Sequence, residues 1–138
     1  MSEADLDAVT RAIAVAETGT SAEIRVHLDH GCLGDPVARA IEVFQRLGMH
    51  RTAERNGVLV YVAITDRKLA VIGDEGIHGR VGEGYWRRLV DDMARHFLEE
   101  RPRDGLAYSL AELGLALRQH FPRRPADTNE LGDQVSIE

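Results

Sequence analysis

The chain of 138 residues has one cysteine, Cys32, one lysine, Lys68, one tryptophan, four prolines and only 5% aromatic residues. A single thiol excludes an intramolecular disulfide framework and any zinc site built from several cysteines. No apolar run approaches the roughly 20 residues needed to cross a bilayer. The N-terminal stretch also lacks the basic start and unbroken apolar segment of a signal peptide. These absences predict a soluble, cytoplasmic chain, or one peripheral to a membrane, without a transmembrane segment. Base is also short: the net charge is −6. A general nucleic-acid binder needs a basic face to displace counterions, so no nucleic-acid partner is expected.

The scarcity of lysine is offset by 16 arginines. The arginine fork suits bidentate phosphate or carboxylate contacts, although arginine-rich codon usage is the simpler account of such an excess. The charge is uneven. Residues 1–35 carry seven acids against two bases, 36–103 ten against twelve, and 104–138 six against three. A mildly basic middle is compatible with local anion binding. With 43% apolar residues, the chain has enough for one buried core at ordinary domain size.

Local patterns divide the chain into seven elements. Ser2 with Asp5 three residues on, then Leu6, Val9, Ile13 and Ala16, predicts a helix ended by Gly19. Residues 23–29 alternate, with Ile24, Val26 and Leu28 on one face and Glu23, Arg25, His27 and Asp29 on the other. That predicts a strand with one wet face at or near a sheet edge. Asp35 followed by Pro36 opens a second helix. Residues 58–64 are apolar on both faces, the pattern of a central strand. The turn Thr65–Lys68 leads into a hairpin partner, 69–72. Five glycines between 73 and 84 predict a loop containing at most one short helical turn. Two more amphipathic helices follow, from Tyr85 and from Asp104, the last stopped by Pro122. The order α-β-α-β-β-α-α, with a parallel first pair and an antiparallel third strand, predicts an α/β fold: a three-layer α/β/α sandwich with a small mixed sheet. Residues 1–121 form its single domain. Residues 122–138 are expected to be a flexible tail in which Val135 and Ile137 could dock.

The topology sorts the loops onto two edges. His30–Asp35 and Asp66–Lys68 share one, at the carboxyl ends of the parallel strands where open α/β sheets usually bind ligands. Ser21, Arg51–Asn56 and the glycine-rich stretch share the other. Asp74, Glu75, His78 and Glu83 form an oxygen-rich cluster fit for a hard cation, calcium or magnesium, without EF-hand spacing. Asp35 and Asp66 are a second candidate pair; a helix cap and a turn former account for them otherwise. Arg67, Lys68 and Arg80 are candidate anion-binding residues, divided between the edges. His27, His30 and Cys32 carry no metal reading, since an i, i+3 pair in a strand points to opposite faces. No dinucleotide fingerprint, P-loop or nucleophile elbow is present.

Several of these segments taken together resemble the TPM domain. They are Glu17-Thr18-Gly19 before the alternating strand, Asp35 opening a helix, the run from Asn56-Gly57, and Asp66-Arg67 in the next turn. Gly76 to Glu83 and Arg103 to Leu106 complete the set, and the resemblance spans roughly residues 5–121. Residues 47–57 and the terminal 121–131 are similar to a bacterial soluble branch. The resemblance implies an α/β/α sandwich and, for some members, divalent-cation binding in loops. It also implies a role as an accessory subunit of a membrane-anchored protein encoded nearby, or alternatively a metal-dependent acid phosphatase like that described for a thylakoid-lumen branch linked to photosystem II repair. Gly76-Ile77-His78 departs from the Gly-Leu-Glu frequent in the family, replacing a carboxylate with an imidazole. The leading expectation is a non-enzymatic accessory module with a loop cation site.

Overall fold

The computed structural model describes residues 1–123 and 135–138. Helix α1 (Glu3–Glu17) starts at a capping box, Ser2 and Asp5 each bonding the other's backbone N–H. Strand β1 (Glu23–Asp29) follows, then α2 (Pro36–Arg46), capped by the Asp35 side chain. A 3-10 turn at Met49–Arg51 leads to β2 (Gly57–Ala63), and the Thr65–Lys68 turn to β3 (Lys68–Gly73). Helices α3 (Glu75–Val81), α4 (Glu83–Glu99) and α5 (Pro102–His120) precede β4 (Val135–Ile137).

The sheet order is β3-β2-β1-β4. As expected, β1 and β2 are parallel, with Val26 opposite Val60 and His27 opposite Tyr61, and β2 and β3 form an antiparallel hairpin. Every residue of β2 is buried. Its Val58, Val60 and Val62 face the main core with α1, α4 and α5, while Leu59, Tyr61 and Ala63 face the smaller core under α2. The result is the three-layer sandwich.

β1 lies near a sheet edge, as expected, one strand in from it, because Val135–Ile137 pair with it in parallel. Three other expectations need correction, beginning with this strand. Its polar face is not wet: Glu23, His27 and Asp29 are all buried. Alternation reports which residues share a face, but not whether the opposite face is covered by another layer. The glycine-rich stretch is helical, since α3 occupies 75–81 and Glu83 already belongs to α4. Two of its glycines answer to geometry rather than flexibility. Gly82 turns the corner between the helices at φ 88°, and a Cβ on Gly76 would lie 2.2 Å from the Glu54 carbonyl oxygen. Finally, α5 opens at Pro102 rather than Asp104, with Arg101 as its N-cap. The expected tail falls largely on 124–134, outside the described residues.

Candidate functional site

The densest polar cluster lies where β1, β2, β4 and α2 meet. His27 and Asp29 are two apart on β1 and so share the face toward α2. His27 is fully buried and its ring stacks on Tyr61, with centroids 6.0 Å apart and planes at 10°. Tyr61 is also fully buried, and its hydroxyl donates to Asp29 Oδ2 at 2.6 Å. Arg39 reaches down from α2 to donate Nε to the same oxygen at 2.8 Å and Nη2 to Oδ1 at 3.3 Å. His27 Nε2 lies 3.0 Å from Oδ1; because a carboxylate only accepts, that nitrogen carries the proton. The other ring nitrogen, Nδ1, meets Ser136 Oγ at 3.0 Å.

The C-terminal residue completes the cluster. Glu138 N–H donates to the Leu28 carbonyl at 3.0 Å, and its side chain accepts from Arg39 Nη2 at 2.6 Å and pairs with Arg46. Arg39 Nη1 donates to Glu42 at 2.5 Å. One guanidinium therefore ties α2 to β1 and β4.

Burial pushes the Asp29 carboxyl up, but hydrogen bonds from Arg39, Tyr61 and His27 outweigh it and hold the group well below the usual carboxylate range. Burial, reinforced by the bond to Asp29, pushes the Tyr61 phenol far above its ordinary value. The Arg39–Asp29 bond raises the guanidinium further, and the Arg39 bond lowers Glu138. Asp29 is thus a permanent carboxylate, Tyr61 a permanent phenol and Arg39 a permanent cation near neutral pH. None is tuned to exchange a proton there.

His27, Asp29 and Glu138 are, among the described residues, the one group of three potential metal ligands whose donor atoms lie within 4.8 Å of one another. A guanidinium already bonds both carboxylates of that group. A metal cation would meet its positive charge at contact distance, so Arg39 serves as the built-in cation.

The residues singled out from sequence are elsewhere. Asp74 caps α3 and accepts from Arg55 with both oxygens, at 2.8 and 3.1 Å. Exposed Glu75 pairs with the same arginine at 3.1 Å. His78 lies edge-on to Trp86, and Glu83 opens α4 beside Arg87. Asp74 and Glu75 are therefore brought together around Arg55, whereas His78 and Glu83 face other partners. Asp35 caps α2, and Asp66 accepts the Cys32 N–H at 2.7 Å.

The three candidate anion-binding cations all bond backbone carbonyls. Arg67 Nη2 lies 2.8–3.2 Å from the carbonyl oxygens of Phe97, Leu98 and Glu100, closing the end of α4. Arg80 Nη1 donates to the His120 carbonyl at the end of α5, its guanidinium 4.9 Å from the Phe121 ring centroid. These are the orphan carbonyls and negative ends of helices, which cations satisfy. Lys68 Nζ instead bonds two loop carbonyls, those of Cys32 and Gly34, at 2.8 and 3.1 Å.

Sequence reasoning missed Tyr61, Arg39 and Glu138, and set His27 and Asp29 aside by weighing the wrong spacing. The usable signal was the i, i+2 pair on β1.

A profile of the TPM domain matches residues 1–115. The chain belongs to the TPM domain family. This TPM chain is similar to the BA42 protein from the psychrophilic bacterium Bizionia argentinensis, with 34% identity and a TM-score of 0.89 over 100% of this chain and 95% of that one. Two further solution structures share the fold at lower identity. The N-terminal domain of a protein from P. gingivalis has 17% identity and a TM-score of 0.67, over 90% of this chain and 82% of that one. The N-terminal domain of the cg2496 protein from Corynebacterium glutamicum has 16% identity and a TM-score of 0.56, over 100% and 80%. No curated protein matches the sequence.

Proposed function

We propose that this TPM chain is a non-enzymatic accessory module, acting by binding another protein rather than by turning over a substrate. The observation that supports this reading is the saturation of Asp29, whose two oxygens receive four bonds from His27, Tyr61 and Arg39. A carboxylate held this way has no lone pair directed at a substrate and no access to one. The loop cations support the same reading, because Arg67, Lys68 and Arg80 close helix ends and a turn. In this proposal Asp74 and Glu75 serve Arg55 rather than calcium or magnesium. A membrane-anchored partner is what the family resemblance implies; no helix among the described residues is long and apolar enough to cross a membrane.

The rival is a metal-dependent phosphatase, in which loop carboxylates would hold a cation that polarises a phosphoryl oxygen. Assaying a chromogenic phosphate ester with millimolar magnesium or calcium separates the two. The expected result is hydrolysis no faster than the protein-free control. Metal-dependent turnover that disappears in a folded Asp74→Asn or Asp66→Asn variant would overturn the proposal.

A further inference from the structure

Strand β3 is an outer strand of the sheet, and among the described residues its one strand neighbour is β2. The ladder shows which of its backbone groups are used. In an antiparallel pair, alternate residues turn both N–H and C=O toward the neighbour. The Asp74 N–H donates to the Gly57 carbonyl at 3.0 Å, and that bond fixes the phase. Lys68, Ala70 and Ile72 face β2, so Leu69, Val71 and Gly73 turn their N–H and C=O groups away from it. A row of backbone donors and acceptors therefore lies along this edge.

Open edges are ordinarily guarded by a charge, a proline or a bulge. The register from Lys68 to Gly73 has no bulge and no proline. The one charged residue of β3, Lys68, stands at its start and is held by the Cys32 and Gly34 carbonyls. The edge lies between α2 on one face of the sheet and α4 on the other, and Val71 is 8% exposed there. Backbone groups partly shielded from water gain most from a partner. Beside the edge, Ile41, Phe44 and Ile72 line an open cavity of about 380 Å³, with His50 and the Arg55–Asp74 pair as its polar members. Ile72 points toward α2. A side chain next to it on an added strand points the same way, into that cavity.

We propose that β3 receives an extended segment of a partner protein as a fifth strand of the sheet, with a large apolar side chain of that segment in the cavity beside Ile72. This placement rests on the protein-binding role proposed above and gives it a surface. In strand addition the main-chain bonds supply affinity and a pocket for an alternate side chain supplies specificity, and β3 offers both. A second copy of this chain does not fit. Helix α2 packs chiefly over β3, so joining β3 to its own copy would set two α2 axes about one strand spacing apart, roughly 5 Å. Packed helices need about 8–10 Å. A lone extended segment brings no helix with it.

Amide hydrogen exchange of the protein alone gives the first test. The Leu69, Val71 and Gly73 amides should exchange far faster than those of Lys68, Ala70 and Ile72. Panning a phage-displayed library of random peptides on the protein gives the second. An enriched peptide should protect those three amides. It should also bind Leu69→Pro at least about tenfold more weakly than Leu69→Ala, because both variants lose the leucine packing and only proline removes the outward N–H. Methylating the peptide's own backbone nitrogens one at a time should abolish binding at alternate positions, a readout independent of how any variant folds. Protection of the three amides in the protein alone would overturn the proposal, as would a library that yields no binder. Peptides that bind equally to the proline and alanine variants, or that protect another surface, would overturn it while leaving the accessory reading intact. Metal-dependent ester hydrolysis bears on that reading alone.

Discussion

Replacing Asp29 with alanine lowers the folding stability by about 3–5 kcal/mol, the range for breaking a buried, hydrogen-bonded ion pair. The substitution strips the Tyr61 hydroxyl, the His27 ring and the Arg39 guanidinium of a common acceptor in a region where two of the three donors are fully buried. For a domain of this size the melting temperature should fall by about 10 °C or more. Glu42 and Glu138 still pair with Arg39, which keeps the loss toward the lower end of that range. The effect also has a pH signature. The Asp29 carboxyl is held below its ordinary value in the folded state, so its contribution is complete above the unfolded pKa, about 3.9. That contribution is lost as pH falls further through the acid range. Chemical denaturation at a series of pH values should show stability falling more steeply below about pH 4 in the parent than in Asp29→Ala.

Gly76→Ala and Gly79→Ala should move stability in opposite directions, although both lie inside α3. In an open helix interior alanine is favoured over glycine by about 0.5–1 kcal/mol. Gly79 has nothing within 4 Å of an added Cβ, so that gain is available. At Gly76 the added carbon would lie 2.2 Å from the Glu54 carbonyl oxygen and 2.6 Å from that of Arg55. Both obstacles are backbone and cannot rotate away. Moreover, the Gly76 N–H donates to the Arg55 carbonyl at 2.8 Å, so relieving the clash pulls that bond and the Arg55–Asp74 pair apart. A loss of about 3 kcal/mol is expected, at the upper end for overpacking. Thermal melts of the two variants beside the parent read the contrast directly.

The glycine pair shows why part of this fold was illegible in the sequence. Glycine density reads as a loop when each glycine is taken as a breaker, yet Gly76 is required by a close backbone approach from residues more than twenty positions upstream. Strands read better. The unbroken apolar run of β2 and the hairpin into β3 announce a buried centre, and Asp35-Pro36 announces the start of α2, because those signals are local. The wet face read for β1 failed for the converse reason. Its neighbour β4 has only three residues, too few to show a period, and pairs across more than a hundred positions of sequence. Without β4, nothing reveals that His27 and Asp29 are enclosed, or that Glu138 closes the cluster.

The arginines illustrate the same limit. Their chemistry permits phosphate recognition, and only placement reveals the actual partners. Arg67 closes α4, Arg80 closes α5, and Arg118 reaches the end of α1. A planar fork matches several converging carbonyls as well as it matches an anion. The single lysine, Lys68, holds two loop carbonyls instead.

The central claim is that the cluster around Asp29 is a structural clamp rather than a chemical site, and a double-mutant cycle on folding stability with Asp29→Asn and Arg39→Met tests it most directly. Functional sites commonly lie at a stability cost, so replacing their charged residues tends to stabilise a protein. A clamp behaves in the opposite way. Both single variants should be destabilised, with a coupling energy of about 2 kcal/mol between them. Single variants as stable as the parent, or losses additive within about 0.5 kcal/mol, would contradict it.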